Sequence, residues 1–598
     1  LDRTKDFREE EALGKAYDAR LMKRLMEYAH PYWPLLFLAI LLLALITVAN
    51  LLRPIIIQQA IDNYLTAGLF PEEILRGITL LISLYLIAVS ANFILSYAQA
   101  YLLQYTGQRI ILDIRSRVFS HLQKMHISFF DKNPVGRLVT RVVNDTETLN
   151  EIYTSVLVNL FRDVFLLAGI IIVMLSLDPF LALVSFTGVP VIIAAAALYQ
   201  HFARAAHRQV RTTLARLNAF LSEHITGVRV IQIFNRQQAK LTEFDQANSD
   251  NLQANIRELR AYAIFRPAVD LIHALVLALL IWYGGGQVIQ NQVEFGVLYA
   301  FILYLEQFFR PLNDLAEKYT LLQSAMASSE RIFQLMDTKP QIFDHPDAKP
   351  LKEVNGLIEF KNVWFAYNPG EWVLKDVTFR IEPGQTVALV GSTGSGKTSV
   401  INLISRLYEA QKGSILLDGE DIKNYRLHDL RKQISMVLQD AFLFSGDIKD
   451  NIRLFDERVS LQQVKKVAHY VNAHEFIGRL PNGYEEEVVE RGATLSAGQR
   501  QLLALARALA LNTGILVLDE ATASIDSETE ELIQKALKKI TKNRTTIIIA
   551  HRLSTIQHAD KIIVIVKGRI AEEGTHQELL DQGGFYSHMY QLQQVAQG

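Results

Sequence analysis

Apolar residues run in long blocks through the first half of the chain and in short β-branched bursts through the second. Six blocks, over 34–52, 78–103, 157–177, 179–200, 268–284 and 295–311, are each near the ~20 residues that a helix needs to cross a bilayer. Asp178-Pro179 divides the stretch 157–200 into two spans, because proline starts a helix well but cannot continue one. The first block begins near Pro34 and is too long for a cleaved signal peptide, so it is expected to stay as a membrane anchor. Residues 1–33 hold seven Lys/Arg. The amphipathic stretch around Leu21–Tyr28 suits a helix lying at the membrane surface.

Loop charge sets the orientation. Segment 104–156 carries seven Lys/Arg (Arg109, Arg115, Arg117, Lys124, Lys132, Arg137, Arg141), and segment 201–267 carries ten. The connections on the other side hold only Arg53 and Arg76. The positive-inside rule therefore places both termini and both long loops in the cytoplasm. Each loop reads as two helical arms joined by a short turn. Arms of about 25 residues would reach roughly 35–40 Å. The first turn is expected at Phe129-Phe130-Asp131-Lys132-Asn133-Pro134 and the second around Leu221–Gly227. Apolar side chains at such tips call for a partner surface.

Pro340, Pro346 and Pro350 mark a linker over 331–355. Short β-branched runs then alternate with helical patterns: Thr386–Val390, Ser435–Leu438, Gly514–Asp519, Thr545–Ala550 and Lys561–Val566. That alternation predicts a largely parallel sheet. The expected division is a segment 1–33, a six-helix membrane domain 34–330, the linker, and an α/β domain 356–598. A net charge of −1 gives a nucleic-acid partner no support. The absence of cysteine excludes disulfides, cysteine-ligated zinc and thiol catalysis.

Gly391–Thr398, GSTGSGKT, fits the phosphate-binding loop G-x-x-x-x-G-K-[ST], with a strand before it and a helix after it. Gly391, Gly394 and Gly396 let the backbone curl, so that Ser392, Thr393, Ser395 and their neighbours can turn several N–H groups toward one anion. The helix through Ser399 adds its positive end. Lys397 is placed to reach the β- and γ-phosphates, and Thr398 to hold Mg²⁺. Five further features surround the loop. Tyr367, in WFAYNPG, offers a ring for stacking on adenine, although an aromatic near a strand is more often core packing. Gln439 could coordinate Mg²⁺ or orient water. ILVLDE, Ile515–Glu520, ends a strand in two carboxylates: Asp519 for the metal and Glu520 to polarise an attacking water. His551 closes a strand within reach of a γ-phosphate. LSAGQ, Leu495, Ser496, Ala497, Gly498 and Gln499, opens a second helix whose N-terminus suits phosphate.

These features in this order, with Ala523-Ser524-Ile525-Asp526, resemble the ATP-binding cassette (ABC) family. Six spans ahead of one cassette look like a half-size ABC exporter. The resemblance implies an α-helical membrane domain of six transmembrane helices with long cytoplasmic extensions, and an α/β P-loop nucleotide-binding domain of ABC type. It implies ATP and Mg²⁺, with Thr398, Gln439 and Asp519 around the metal. Tyr367 matches the adenine-stacking aromatic, Glu520 the catalytic base, Asp526 the D-loop and His551 the switch histidine. Leu495–Gln499 matches the signature that contacts ATP held by a second half-transporter, and the arms match those that dock onto the cassettes. Ala497 departs from the usual LSGGQ. It is either tolerated variation or the mark of a heterodimer with unequal sites, in which this chain is the hydrolysis-competent subunit of a bacterial multidrug exporter.

The expected activity is ATP-driven export of hydrophobic or amphipathic small molecules across the cytoplasmic membrane by alternating access. Six spans exclude a soluble DNA-repair ATPase, and the fusion weighs against an importer. A lipid flippase shares the architecture and stays open. For the pathway, the sixth span offers Tyr299, Phe301, Tyr304, Phe308 and Phe309, either as cavity wall or facing lipid. Asp270 and His273 could share a cavity face or snorkel toward the interface.

Overall fold

The computed structural model describes residues 18–66, 70–313, 315–489, 492–511, 513–519, 527–542, 544–549 and 556–597. They fall into two compact units. One takes in the chain to Gln123 together with Gly136–Thr338, and the other joins Lys124–Val135 to Lys339–Gly598.

In the first unit, α1 (Ala19–Ala29) covers the expected amphipathic stretch and buries Leu25 and Ala29. Arg24 pairs with Asp337 at 2.7 Å and lies over the Phe333 ring at 4.2 Å, so α1 is strapped to another helix of its own unit. The long rods follow as α2 (Trp33–Ala60) and α3 (Pro71–Leu122). The tip helix α4 (Ile127–Lys132) belongs to the other unit. The third rod is α5 (Val135–Thr140), α6 (Thr146–Glu151) and α7 (Leu157–Leu177), joined by π-turns. After it come α8 (Pro179–Phe186), α9 (Gly188–Thr226), α10 (Val228–Ile233), α11 (Gln237–Ile289), α12 (Phe295–Asn313) and α13 (Leu315–Asp337).

Asp178 divides the third and fourth rods as expected. Its carboxylate accepts the Leu181 N–H at 2.8 Å, with Pro179 in the first helical position. Among the described residues five helical stretches are long and apolar enough to span a bilayer by themselves. The sixth rod, α12, is not among them, because Glu306, Gln307 and Arg310 interrupt its hydropathy.

The second loop turns later than expected. Leu221–Thr226 is still helical, held by Thr226 Oγ1 donating to the Ser222 carbonyl at 2.7 Å. The chain breaks at Gly227 and again around Asn235, whose φ is 54°. Between them α10 and Phe234 form the tip, with Ile233 and Phe234 about 70% exposed. α13 also runs on to Asp337, so the first part of the expected linker is helical. Asp145, 5% exposed, accepts from Arg331 at 3.0 and 2.5 Å and fixes α13 against the third rod.

In the second unit, β1 (Ile358–Ala366), β2 (Trp372–Ile381), β4 (Lys412–Leu417) and β5 (Glu420–Asp421) make an antiparallel sheet in the order β2-β1-β4-β5. The larger sheet runs β12-β11-β3-β10-β9-β6. Its strands are β3 (Thr386–Val390), β6 (Ile434–Val437), β9 (Ile515–Asp519), β10 (Thr545–Ile549), β11 (Lys561–Val566) and β12 (Arg569–Gly574). All pairings in it are parallel except β11–β12. A small ladder pairs β7 (Gly446–Asp447) with β8 (Glu487–Val488).

The central strands are apolar on both faces. Val387, Leu389, Val517 and Ile547 pack toward the antiparallel sheet, while Ala388, Val390, Leu516 and Leu518 pack toward the helices. That is why they read as unbroken apolar runs and not as an alternation.

Candidate nucleotide-binding site

The parallel register brings four chain segments out of the sheet at one edge. Leu389 and Asp519 both pair with Ile549, and Val437 pairs with Leu518. The loop after β3, the end of β10, the end of β9 and the turn after β6 therefore lie side by side. The carboxyl edge of parallel strands is where this kind of sheet binds ligands. Asp519, half-buried, ends β9, and Gln439, exposed, stands two residues beyond β6. Glu520, Asp526 and His551 lie outside the described residues. Glu520 directly follows Asp519 in sequence, and His551 comes two residues after Ile549.

The loop itself has little freedom. A Cβ on Gly391 would come within 2.2 Å of the Ile565 carbonyl oxygen. Gly396 sits at φ 110°, where an L side chain is strained, and a Cβ there would meet Leu374 at 2.6 Å. The helix α14 (Lys397–Ile404) starts directly after it. Lys397 is 6% exposed, and its ammonium donates to the carbonyls of Gly391 at 2.8 Å and Ser392 at 3.0 Å. Ser392, Thr393, Gly394 and Thr398 are exposed along the crest, while Ser395 and Ser399 are buried.

The Ser395 hydroxyl is buried without a hydrogen-bond partner. Buried polar groups are normally satisfied, so this orphan beside a curled, anion-sized loop fits a missing phosphate oxygen. Ser395→Ala should raise the melting stability of the nucleotide-free protein by about 1 kcal/mol and shrink the further rise on adding ATP. A nucleotide-induced shift equal to wild type would remove Ser395 from the site.

Tyr367 stands just past β1, partly exposed. Its hydroxyl lies 3.0 Å from Ser399 Oγ and accepts from Asn402 Nδ2 at 3.4 Å. The ring is tied to the phosphate-loop helix and keeps an open side. Ser496 caps α15 (Ala497–Ala510) in a reciprocal box: its Oγ accepts the Gln499 N–H at 3.2 Å, and Gln499 Oε1 accepts the Ser496 N–H at 2.9 Å. Leu495 and Gly498 are buried, Gln499 is half-buried, and Ser496 and Ala497 are exposed. The Ala497 methyl thus faces outward at the first helical position.

Four of the five sixth-span aromatics take neither expected role. Phe301, Tyr304, Phe308 and Phe309 are buried inside their own unit, and the Tyr304 hydroxyl donates to the Leu51 carbonyl at 2.5 Å. Tyr299 is partly exposed, Asp270 is exposed, and His273 packs against Phe309 at 5.0 Å. The exposed aromatic row is on α3. Tyr97, Tyr101 and Tyr105 stack at 6.5 and 6.4 Å, and Arg109 lies over Tyr105 at 5.2 Å. Below it a cavity of about 600 Å³ is lined by Tyr105, Arg109, Leu112, Arg115 and Phe119 among others. The spacing 97, 101, 105 is a four-residue helical repeat that was visible in the sequence and missed.

A phosphate loop at this edge of the sheet, fused behind a helical membrane domain, defines an ATPase coupled to transmembrane transport, and the chain belongs to the ABC transporter family. Residues 36–312 match the family described as ABC transporter transmembrane region, and residues 374–523 the one described as ABC transporter. Over 530 residues the chain is 42% identical to the probable multidrug resistance ABC transporter ATP-binding/permease protein YheH of Bacillus subtilis (strain 168), covering 88% of this chain and 78% of that one. Over 575 residues it is 34% identical to the ATP-dependent lipid A-core flippase of Syntrophus aciditrophicus (strain SB), covering 96% and 94%. The structure of a bacterial Atm1-family ABC exporter with ATP bound superposes with a TM-score of 0.79 at 27% identity, covering 96% and 99%. Half-transporters of this kind function as dimers.

Proposed function

We propose that this chain is one half of a dimeric exporter that moves hydrophobic or amphipathic small molecules outward across a bacterial cytoplasmic membrane, with both termini and the cassette inside. The observation that carries the reading is that Lys124–Val135, drawn from between two membrane rods, forms one compact unit with the cassette. A closure of two cassettes therefore has a grip on the membrane helices. The exposed second tip, Val228–Phe234, is left for another surface, and the second subunit's cassette is the partner that dimerisation supplies.

In this reading the base of ATP lies on Tyr367 and its phosphates on Gly391–Ser399, with Lys397 neutralising the terminal groups. Thr398, Gln439 and Asp519 would hold Mg²⁺, which neutralises charge on the transferred phosphoryl group. Glu520 would polarise the attacking water and His551 would reach the γ-phosphate, and Asp526 would serve as the D-loop aspartate. Leu495–Gln499 closes over the nucleotide of the other subunit. Inverting a 1:99 ratio of open to closed forms takes about 5.5 kcal/mol of preferential binding, within reach of two sandwiched nucleotides.

We read the assembly as a heterodimer, with a homodimer as its alternative. The motif supports this reading through Ala497, exposed at the start of α15, since a methyl in the signature suits a pair of unequal sites. Purified alone, the chain should hydrolyse ATP slowly, and beside a different half-transporter it should turn over fully. Full-rate hydrolysis by a lone, unpaired chain would sink the paired-site reading, and full activity as a pure homodimer the heterodimer. Likeness to the lipid A-core flippase keeps lipid movement as the second reading. Stimulation of ATPase by hydrophobic dyes, against movement of a fluorescent phospholipid in proteoliposomes, separates the two.

A further inference from the structure

We propose that Gln411 is a positioning residue for nucleotide binding: its side-chain amide locks the backbone immediately before Tyr367 and so sets the ring on which the base lies. Gln411 belongs to none of the motifs around the phosphate loop.

β1 reaches its end by irregular pairing. Its register against β4 slips between Lys361 and Trp364, and against β2 it shifts between Val363 and Phe365 and again before Ala366. Such slips disrupt the ladder that would otherwise aim the last side chains of the strand. The last pair with β4 is Trp364 with Lys412. Gln411, just before β4, carries the pairing further. Its N–H donates to the Trp364 carbonyl at 3.1 Å. Its Oε1 then accepts the Ala366 N–H at 2.9 Å, and its Nε2 donates to the Ala366 carbonyl at 2.9 Å. The side-chain amide thus does what a peptide unit of β4 would do, and satisfies both backbone groups of a buried residue at once.

Lys412 braces the clamp from the next position. Its ammonium lies 5.6 Å from the Trp364 ring and 5.5 Å from the Trp372 ring, and the two rings meet edge-on at 5.4 Å and 82°. A cation held by two aromatic faces fixes Lys412, and with it the backbone that carries Gln411.

Tyr367 directly follows Ala366. Its hydroxyl is bonded to α14 through Ser399 and Asn402, and its ring meets Phe365 edge-on at 4.7 Å and Tyr408 at 5.0 Å. One end of the residue is thus fixed to the phosphate-loop helix through the hydroxyl, and the other to β4 through Gln411. Between these two anchors Tyr367 is still 41% exposed, which leaves the ring room to take a base. A ring fixed at both ends has its orientation settled before the base arrives. A ring loose at its backbone has to be ordered on binding, and that ordering costs affinity.

The inference rests on the placement of the base of ATP on Tyr367, and the experiment keeps the two apart. The purified chain in detergent is loaded with a fluorescent ATP analogue, which is displaced by ATP and, separately, by inorganic tripolyphosphate. Tripolyphosphate reads the phosphate loop alone, and the ratio of the two affinities reads the base. Gln411→Leu keeps much of the side-chain volume and removes both bonds to Ala366. It should lower the affinity for ATP about fivefold and leave that for tripolyphosphate within about twofold of wild type. Tyr367→Ala should lose about tenfold or more for ATP alone. The double variant should be no weaker than Tyr367→Ala, because Gln411 acts only through the ring. Gln411→Asn, which keeps both polar atoms on a shorter stem, should recover part of the loss. An unchanged ratio in Gln411→Leu, beside a lowered one in Tyr367→Ala, overturns the inference. So does an equal loss for both ligands, the mark of a purely structural role, or a double variant whose loss is the product of the two. Gln411→Glu, which keeps the acceptor for the Ala366 N–H and loses the donor to its carbonyl, carries the test if Gln411→Leu fails to fold. An unchanged ratio in Tyr367→Ala overturns the placement of the base instead.

Discussion

Glu520→Gln should give an assembled transporter that binds ATP, closes its cassettes and hardly turns over. The amide preserves the size of the side chain and removes only its ability to accept a proton from water. Positioned general bases contribute about 10²–10⁴ in rate, so kcat should fall by at least about a hundredfold while nucleotide affinity is held or rises. ATPase of the reconstituted dimer, with nucleotide occlusion measured in parallel, reads both halves of the expectation. Retained turnover at the competent site would reassign the base to another group.

The second large effect is expected at Lys397. Its ammonium is buried and bonded to two carbonyls of its own loop, so the loop itself holds the charge in place. Lys397→Met keeps most of the buried stem and deletes the charge. Hydrogen bonds to a charged group are worth about 1.5–3 kcal/mol each, so losing contacts to two phosphates should weaken ATP binding about a hundredfold or more. The nucleotide-free variant should also melt lower, because the Gly391 and Ser392 carbonyls lose their donor. Equilibrium binding of a fluorescent ATP analogue tests the first effect, and calorimetry without nucleotide tests the second. Binding close to wild type would contradict the assignment of the loop.

Glu520→Gln and Lys397→Met thus separate two failures. The first stops the reaction after closure, the second before it. An exporter read correctly here should show both, with opposite effects on nucleotide retention.

Some of this was plain in the residues and some was not, for physical reasons. The span division at Asp178-Pro179 was legible because an N-cap and a following proline act within one turn. The strands before the phosphate loop and the carboxylates were legible because a sheet buried on both faces leaves runs such as Val387–Val390. The second loop tip was misplaced because Ser222, Glu223 and Thr226 look like turn residues. Their side chains and backbone instead continue the helix, and the break waits for Gly227 and for Asn235 in a left-handed conformation. The burial of Phe301 and Tyr304 was illegible in principle, since lipid and protein interior ask for the same apolar side chains.

α11 carries a mechanical consequence. Its 53 residues make a rod about 80 Å long, so a tilt of about 5° at one end sweeps the other by about 7 Å. Pro267 interrupts it part way along and removes one ladder hydrogen bond. The rod is thus a lever with a compliant joint: the stretch before Pro267 can swing through a wide arc while the stretch after it turns less, as a reduction gear trades travel for force.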